Sequence, residues 1–175
     1  MTTIVHLVRH GEVHNPAKIL YGRLEGYQLS ERGRNMAHAT ASDLADHDVT
    51  YLGVSPMQRA QETAQPFAEK LGLEIHTDER LLEAGNQFEG LHIKGVRSAL
   101  WNPKYWPMLK NPSLPSWGEP YLDIARRMLG AVYEAVAQVT AASARSSCSL
   151  RRSSWASLSR RSASSRVTFI KPCRS

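Results

Sequence analysis

At 175 residues the chain is long enough to bury one sizeable core, which predicts a single domain. It holds no run of about 18 apolar residues, which excludes a membrane-spanning helix. Its formal net charge of +6 is uneven: residues 1–140 carry 14 Lys and Arg against 16 Asp and Glu, whereas 141–175 carry 8 basic residues and no acid, so a uniformly basic nucleic-acid-binding domain is excluded. The two cysteines, Cys148 and Cys173, make no disulfide framework, and Met1-Thr2-Thr3 leads directly into the first apolar run. Both features predict a cytoplasmic protein without a leader.

The first strand is expected at Ile4-Val5-His6-Leu7-Val8, a short apolar run that ends in Arg9-His10-Gly11-Glu12. In open α/β sheets ligands bind at the C-terminal ends of strands, which makes this quartet the first candidate site. A polar loop with Asn15-Pro16 and Tyr21-Gly22-Arg23 follows. Ser30 then reads as the N-cap of a helix to about Asp46, with Glu31 in its first turn and Met36, Ala37, Leu44 and Ala45 facing inward. Gly33 inside that helix is expected to cost on the order of 1 kcal/mol relative to Ala.

A second strand is predicted over Val49–Val54. Ser55 as N-cap and Pro56 at the first helical position predict a helix to Leu71 that stops at Gly72. Leu73–His76 reads as a short third strand. Two strand-helix units of this kind predict an α/β fold with a parallel sheet. Residues 80–119, with four glycines, four prolines and three tryptophans, read as a long loop with short helices lidding a site. The tryptophans read as core more readily than as substrate-stacking groups. Gly118-Glu119-Pro120 starts a helix from Tyr121 to about Ala142, with Ile124, Met128, Leu129, Val132 and Val136 on its apolar stripe.

The pattern breaks after that helix. Residues 143–175 hold 12 serines, 7 arginines and no acid, with apolar residues scattered singly until Val167-Thr168-Phe169-Ile170. No further buried strand is evident, so the domain is expected to span 1–142 and lack its late C-terminal strand. For 143–175 three readings stand: a disordered basic tail, an arm for nucleic acid or a membrane surface, or out-of-frame translation of a G+C-rich gene.

The chemistry converges on one sheet edge. Arg9 and His10 end the first strand, and Arg59 reaches the same edge from the start of the second helix. Two guanidiniums meeting at one point suit a tetrahedral oxyanion such as phosphate. A neutral imidazole beside them is a nucleophile toward phosphorus. Glu83, after the third strand, is placed to protonate a leaving oxygen if its pocket keeps it protonated. Read from physics alone, each residue could equally form a surface salt bridge or a loop hydrogen bond. His6, in mid-strand, reads as a core histidine, His14 as a loop residue near the site, and His38 and His47 as surface residues. His76 and His92 lack partners at a recognisable spacing.

Leu7-Val8-Arg9-His10-Gly11-Glu12 resembles the signature of the histidine phosphatase superfamily, the phosphoglycerate mutase-like family. It is joined in order by Tyr21-Gly22-Arg23, by Leu29-Ser30-Glu31-Arg32-Gly33, and by Ser55-Pro56-Met57-Gln58-Arg59-Ala60-Gln61-Glu62-Thr63-Ala64. Leu81-Leu82-Glu83 with Phe88-Glu89-Gly90 resembles the acid-bearing segment. The resemblance spans roughly residues 3–142 and implies a three-layer α/β/α sandwich with a mostly parallel sheet. It also implies a phosphomonoester hydrolase that works through a phosphohistidine on His10. Arg9, Arg59 and Asn15 would bind phosphate, and Glu83 would act as general acid. The substrate would be a small phosphorylated molecule, with no metal, no cofactor and no membrane partner. Asn15 lies one residue nearer the histidine than in the commonest spacing. The family's second pocket histidine, which follows a late strand, has no counterpart here, because no histidine lies after His92. Two other readings follow from the same resemblance: phosphoglycerate mutase-type phosphotransfer, and an inactive phosphate-binding relic. Nucleic-acid binding through the basic tail is a third. Substrate identity and oligomeric state are not legible in the sequence.

Overall fold

The structure, a computed structural model, describes residues 3–92, 98, 102–104, 106, 118–150 and 165–171; over 143–150 and 165–171 the description is of the backbone, Thr168 excepted. The elements run β1 (Thr3–Arg9), α1 (Glu31–Asp43), β2 (Val49–Val54), α2 (Gln58–Leu71), β3 (Ile75–Thr77), a 3-10 turn (Glu79–Leu81), α3 (Tyr121–Leu150) and β4 (Ser165–Lys171). The four strands form one sheet in the order β1-β4-β2-β3, with every pair parallel. Alternation along the strands separates two cores. Leu52 and Val54 of β2 meet Ala41 of α1 and Ala60, Ala64 and Phe67 of α2 on one face, with Val8 of β1 packed against them. Val5 and Tyr51, of opposite parity, meet Leu81 and Ala131, Ala135 and Val139 of α3 on the other. The result is the α/β/α layering that covers both faces of a parallel sheet.

One strand overturns the sequence reading. No strand was expected after α3, yet Ser165–Lys171 is β4, inserted between β1 and β2. Its register pairs Val5 with Val167, Leu7 with Phe169 and Arg9 with Lys171. Thr168 is fully buried and pairs with His6 on one side and Leu52 on the other. A strand paired on both sides within a parallel sheet needs only a short apolar run. Val167-Thr168-Phe169-Ile170 is such a run, masked by the serine- and arginine-rich composition around it. The backbone of α3 also continues to Leu150, beyond the expected end near Ala142.

The helix boundaries follow local chemistry. Ser30 caps α1 as expected, its hydroxyl accepting from the Gly33 N–H at 3.0 Å. The helix ends at Asp43 rather than Asp46, and it buries Gly33, Ala37 and Ala41; Met36 is 48% exposed and Ala45 lies at the surface. The α2 helix starts at Gln58 with Met57 as N-cap, so Ser55 lies ahead of a bend at Pro56 and Met57 instead of capping the helix. It stops at Gly72 in the left-handed conformation (φ 63°), the cap predicted for it. The short third strand is Ile75–Thr77, one or two residues later than expected. In α3 the buried stripe is Ala131, Ala135 and Val139, while Leu129 is 52% exposed. Small alanines let the helix approach the sheet closely, which a reading weighted toward large side chains does not anticipate. Of the three tryptophans, Trp106 is exposed, and Trp101 and Trp117 lie outside the described residues, as does half of the expected lid over 80–119. His6 and His47 contact each other with ring centroids 5.5 Å apart, and His76 stacks on Tyr51 at 4.8 Å.

Candidate active site

His10 leaves β1 at its C-terminal end and is buried. Its Nδ1 lies 2.6 Å from the carbonyl oxygen of Gly11. A carbonyl only accepts, so Nδ1 carries the proton and donates, which leaves Nε2 with its lone pair. That Nε2 is buried and has no hydrogen-bond partner among the described residues. Burial holds the His10 pKa below its ordinary value, and the positive charges of Arg59 and Arg9 lower it further against the Gly11 hydrogen bond. The imidazole is therefore neutral at neutral pH, with Nε2 buried and unpartnered among the described residues.

The turn after His10 depends on two glycines. A Cβ on Gly11 would stand 2.3 Å from the Gly33 carbonyl oxygen, and one on Gly33 would stand 2.1 Å from the Glu12 carbonyl oxygen. The first turn of α1 thus presses directly on the site loop. Gly33 is there for that close approach, and the helix-propensity cost expected of it is secondary. The Gly11 N–H donates to Thr63 Oγ1 at 3.2 Å, and that hydroxyl donates to the Arg59 carbonyl at 2.7 Å, tying the end of β1 to α2.

Arg59 has no solvent exposure. Its Nη2 donates to the Gly22 carbonyl at 2.6 Å and to Glu83 Oε2 at 2.8 Å. Its guanidinium stands over the Tyr21 ring, 4.9 Å from the centroid. Nε and Nη1 are buried without partners among the described residues. A buried guanidinium with unused donors is costly unless something accepts from them. A tetrahedral oxyanion beside His10 would.

Glu83 is buried with its carboxylate against Arg59. Burial raises its pKa above the ordinary carboxylate value and outweighs the lowering by Arg59. An arriving phosphate would compete for Arg59 and add negative charge, and both effects push the pKa further up. Arg9 is exposed, and its charge acts on His10, Tyr21 and Glu83. Asn15 is placed differently. Its Nδ2 donates to the Ile19 carbonyl at 2.8 Å and its Oδ1 accepts from the Ile19 N–H at 3.3 Å, so its side chain closes its own loop. The structure brings His10, Arg59 and Glu83 together with Arg9 nearby, and leaves Asn15 outside that group.

The Tyr21-Gly22-Arg23 segment, noticed in the sequence without a role, acquires one residue by residue. Tyr21 stacks on Arg59, Gly22 presents its carbonyl to Arg59, and Arg23 Nε donates to the Glu83 carbonyl at 2.7 Å. Gly22 has φ 39°, and a Cβ there would lie 2.2 Å from Glu89 Oε1. Sequence reasoning missed Glu119 and Arg127, whose contacts with the Glu83 loop span more than thirty residues of chain. Gly118-Glu119 ahead of a helix was the visible signal, but it was read only as a helix start. Among the described residues no group of three or more His, Cys, Asp or Glu is placed to hold a metal ion. No helix among them is long and apolar enough to cross a membrane.

Comparison with known proteins agrees with this geometry. The family model of the histidine phosphatase superfamily (branch 1) matches residues 5–144. An uncharacterized protein of Mycobacterium tuberculosis, Rv0525, is 53% identical over 133 residues, which are 76% of this chain and 66% of that protein, just under two thirds of its length. A 2,3-bisphosphoglycerate-dependent phosphoglycerate mutase of Thermoplasma acidophilum is 36% identical over 83 residues, 47% of this chain and 42% of the mutase. Among solved structures, mycobacterial glucosyl-3-phosphoglycerate phosphatase superposes with a TM-score of 0.64 at 24% identity, covering 95% of this chain and 72% of that one. Bacillus stearothermophilus YhfR superposes at 0.68 with 23% identity, covering 97% and 74%. The two structural likenesses establish the fold, and the family model, which covers most of the chain, establishes the kinship: this chain belongs to the histidine phosphatase superfamily.

Proposed function

We propose that the protein is a cytoplasmic phosphomonoester hydrolase whose nucleophile is His10. The observation that carries this reading is the buried, unpartnered Nε2 of a His10 held neutral within the electrostatic reach of Arg59, which itself keeps two buried donors unused. Nε2 attacks phosphorus, a P–N bond forms and the P–O bond to the leaving group breaks. Arg59 and Arg9 hold the phosphoryl oxygens. The leaving oxygen takes the proton of Glu83, whose burial favours the protonated form. Water then attacks the phosphohistidine, gives its proton to the Glu83 carboxylate, and the P–N bond breaks to release phosphate and restore His10.

A second reading rests on a specific observation. No histidine follows His92, so the second pocket histidine implied by the family resemblance is absent. In that reading the chain binds phosphate without turning it over. Phosphotransfer of the mutase type is a third reading, suggested by the kinship with the Thermoplasma mutase, which this chain matches over less than half of its length. Hydrolysis of an aryl phosphate by the wild-type chain and by H10A separates these readings. The hydrolase reading expects turnover that H10A abolishes. Equal rates, or phosphate binding with no turnover, contradict it, and transfer of the phosphoryl group to an added acceptor alcohol in preference to water favours the mutase reading.

A further inference from the structure

Glu83 has a carboxyl group in the site but sits on a segment without regular structure, after the 3-10 turn. A proton donor on a loop needs its backbone fixed by something outside the loop. Here the fixing is done by guanidinium groups. Arg127, on α3, donates from Nη1 to the carbonyls of Arg80 at 2.6 Å and Leu82 at 2.7 Å, and from Nη2 to the carbonyl of Glu83 at 3.5 Å. Its remaining donors form a two-pronged pair with Glu119, Nε to Oε1 at 2.8 Å and Nη2 to Oε2 at 2.9 Å. Glu119 Oε2 also accepts from Arg23 Nη2 at 3.1 Å, while Arg23 Nε holds the Glu83 carbonyl from the other side at 2.7 Å. The Glu119 N–H donates to the Gly85 carbonyl at 3.3 Å, so the same acidic residue also ties down the far end of the loop.

Resting on the hydrolase reading, we propose that Arg127, braced by Glu119 and Arg23, is the positioning residue for Glu83: it fixes the loop carbonyls so that the carboxyl stays buried against Arg59 at the leaving-group side of the phosphate. Three features support a dedicated grip over general surface pairing. Five donor positions on one guanidinium all find acceptors. Three of those acceptors are carbonyls within four residues of chain ending at Glu83. Glu119 is held as the anion, its pKa lowered chiefly by the Arg127 hydrogen bonds, so the brace is charged throughout the neutral range. Glu83 is then gripped at both ends, by Arg59 at the carboxylate and by Arg23 and Arg127 at the carbonyl.

The test combines kinetics with a direct titration in the full-length chain. R127A is expected to lower kcat on an aryl phosphate about 10- to 100-fold while KM changes less than about threefold, because a displaced proton donor weakens the transition state more than binding. Released from burial, the Glu83 carboxyl should titrate closer to about 4.3, the ordinary value, and the alkaline limb of kcat should move acidward with it. E119Q, which removes the brace's charge and keeps its shape, should shift both in the same direction by less. R127K should recover only part of the loss, since one ammonium cannot reproduce the guanidinium fork. A folded R127A with wild-type kcat and limb overturns the proposal. If R127A does not fold, an E119Q chain whose Glu83 titration by 13C NMR matches wild type overturns it. The NMR titration needs no turnover, so it still judges the grip if wild type proves inactive, an outcome that would sink the hydrolase reading by itself.

Discussion

Two arginines in this molecule are placed to opposite ends. Arg59 is fully buried, uses one nitrogen on Gly22 and Glu83, and leaves Nε and Nη1 without partners among the described residues. Arg127 is part-exposed and has acceptors for every donor position, all supplied by the protein. An arginine whose donors are all satisfied internally is scaffold; one held dry with donors in reserve is prepared for a ligand. On the proposed function, this difference would assign phosphate binding to Arg59 and an architectural role to Arg127, though both touch Glu83.

Substitutions that remove the chemistry itself bound this contrast from above. H10A is expected to reduce aryl phosphate hydrolysis about 10⁴-fold or more, the order seen when a nucleophile is removed, measured by steady-state kinetics. E83Q should lower kcat about 10²- to 10⁴-fold. It should also change the pH profile. Activity requires neutral His10, whose pKa lies below about 6.5, so the rate rises with pH through that value. It also requires protonated Glu83, whose pKa lies above its ordinary value, so the rate falls as pH climbs through it. Wild type should therefore show a bell-shaped profile, and E83Q should lose the falling side.

The contrast itself is broken or sharpened by comparing R59A with R127A. R59A should lose about 10²- to 10³-fold in kcat. Inorganic phosphate, which should raise the melting temperature of wild type, should no longer do so. R127A should keep the phosphate-induced rise on a lowered baseline, about 2–4 kcal/mol less stable, because several loop carbonyls lose their donor. The reverse pattern would mean the roles have been exchanged. Smallest is G33A, expected to cost about 1–3 kcal/mol in chemical denaturation, since its Cβ meets the backbone of Glu12. A stabilised G33A would instead favour the helix-propensity view of that glycine.

The site core was legible because it is built from contiguous segments with a physical signature. A strand ending in Arg9-His10, a helix beginning near Arg59, and an acid after the third strand all point at one sheet edge. Arg127 was illegible for the opposite reason: its acceptors are backbone carbonyls, which leave no trace in side-chain identity. Asn15 was assigned to phosphate from the family resemblance, despite a spacing one residue short, whereas in the structure its amide closes the turn at Ile19. β4 was hidden because the nineteen serines and arginines of residues 143–175 dominate any compositional judgement, although strand pairing needs only the four-residue apolar run. The α3 stripe was misread toward Leu129 because alanines contribute little to a hydrophobic pattern while permitting the closest packing.

In the proposed mechanism His10 is the nucleophile that takes up the phosphoryl group. Rapid mixing with an aryl phosphate, quenching in base to preserve phosphoramidate, and peptide mass spectrometry test it directly. The account predicts a transient phosphoryl group on residue 10, formed at least as fast as turnover and absent from H10A. Steady turnover with no phosphorylated His10, or with the phosphoryl group on another residue, would contradict it.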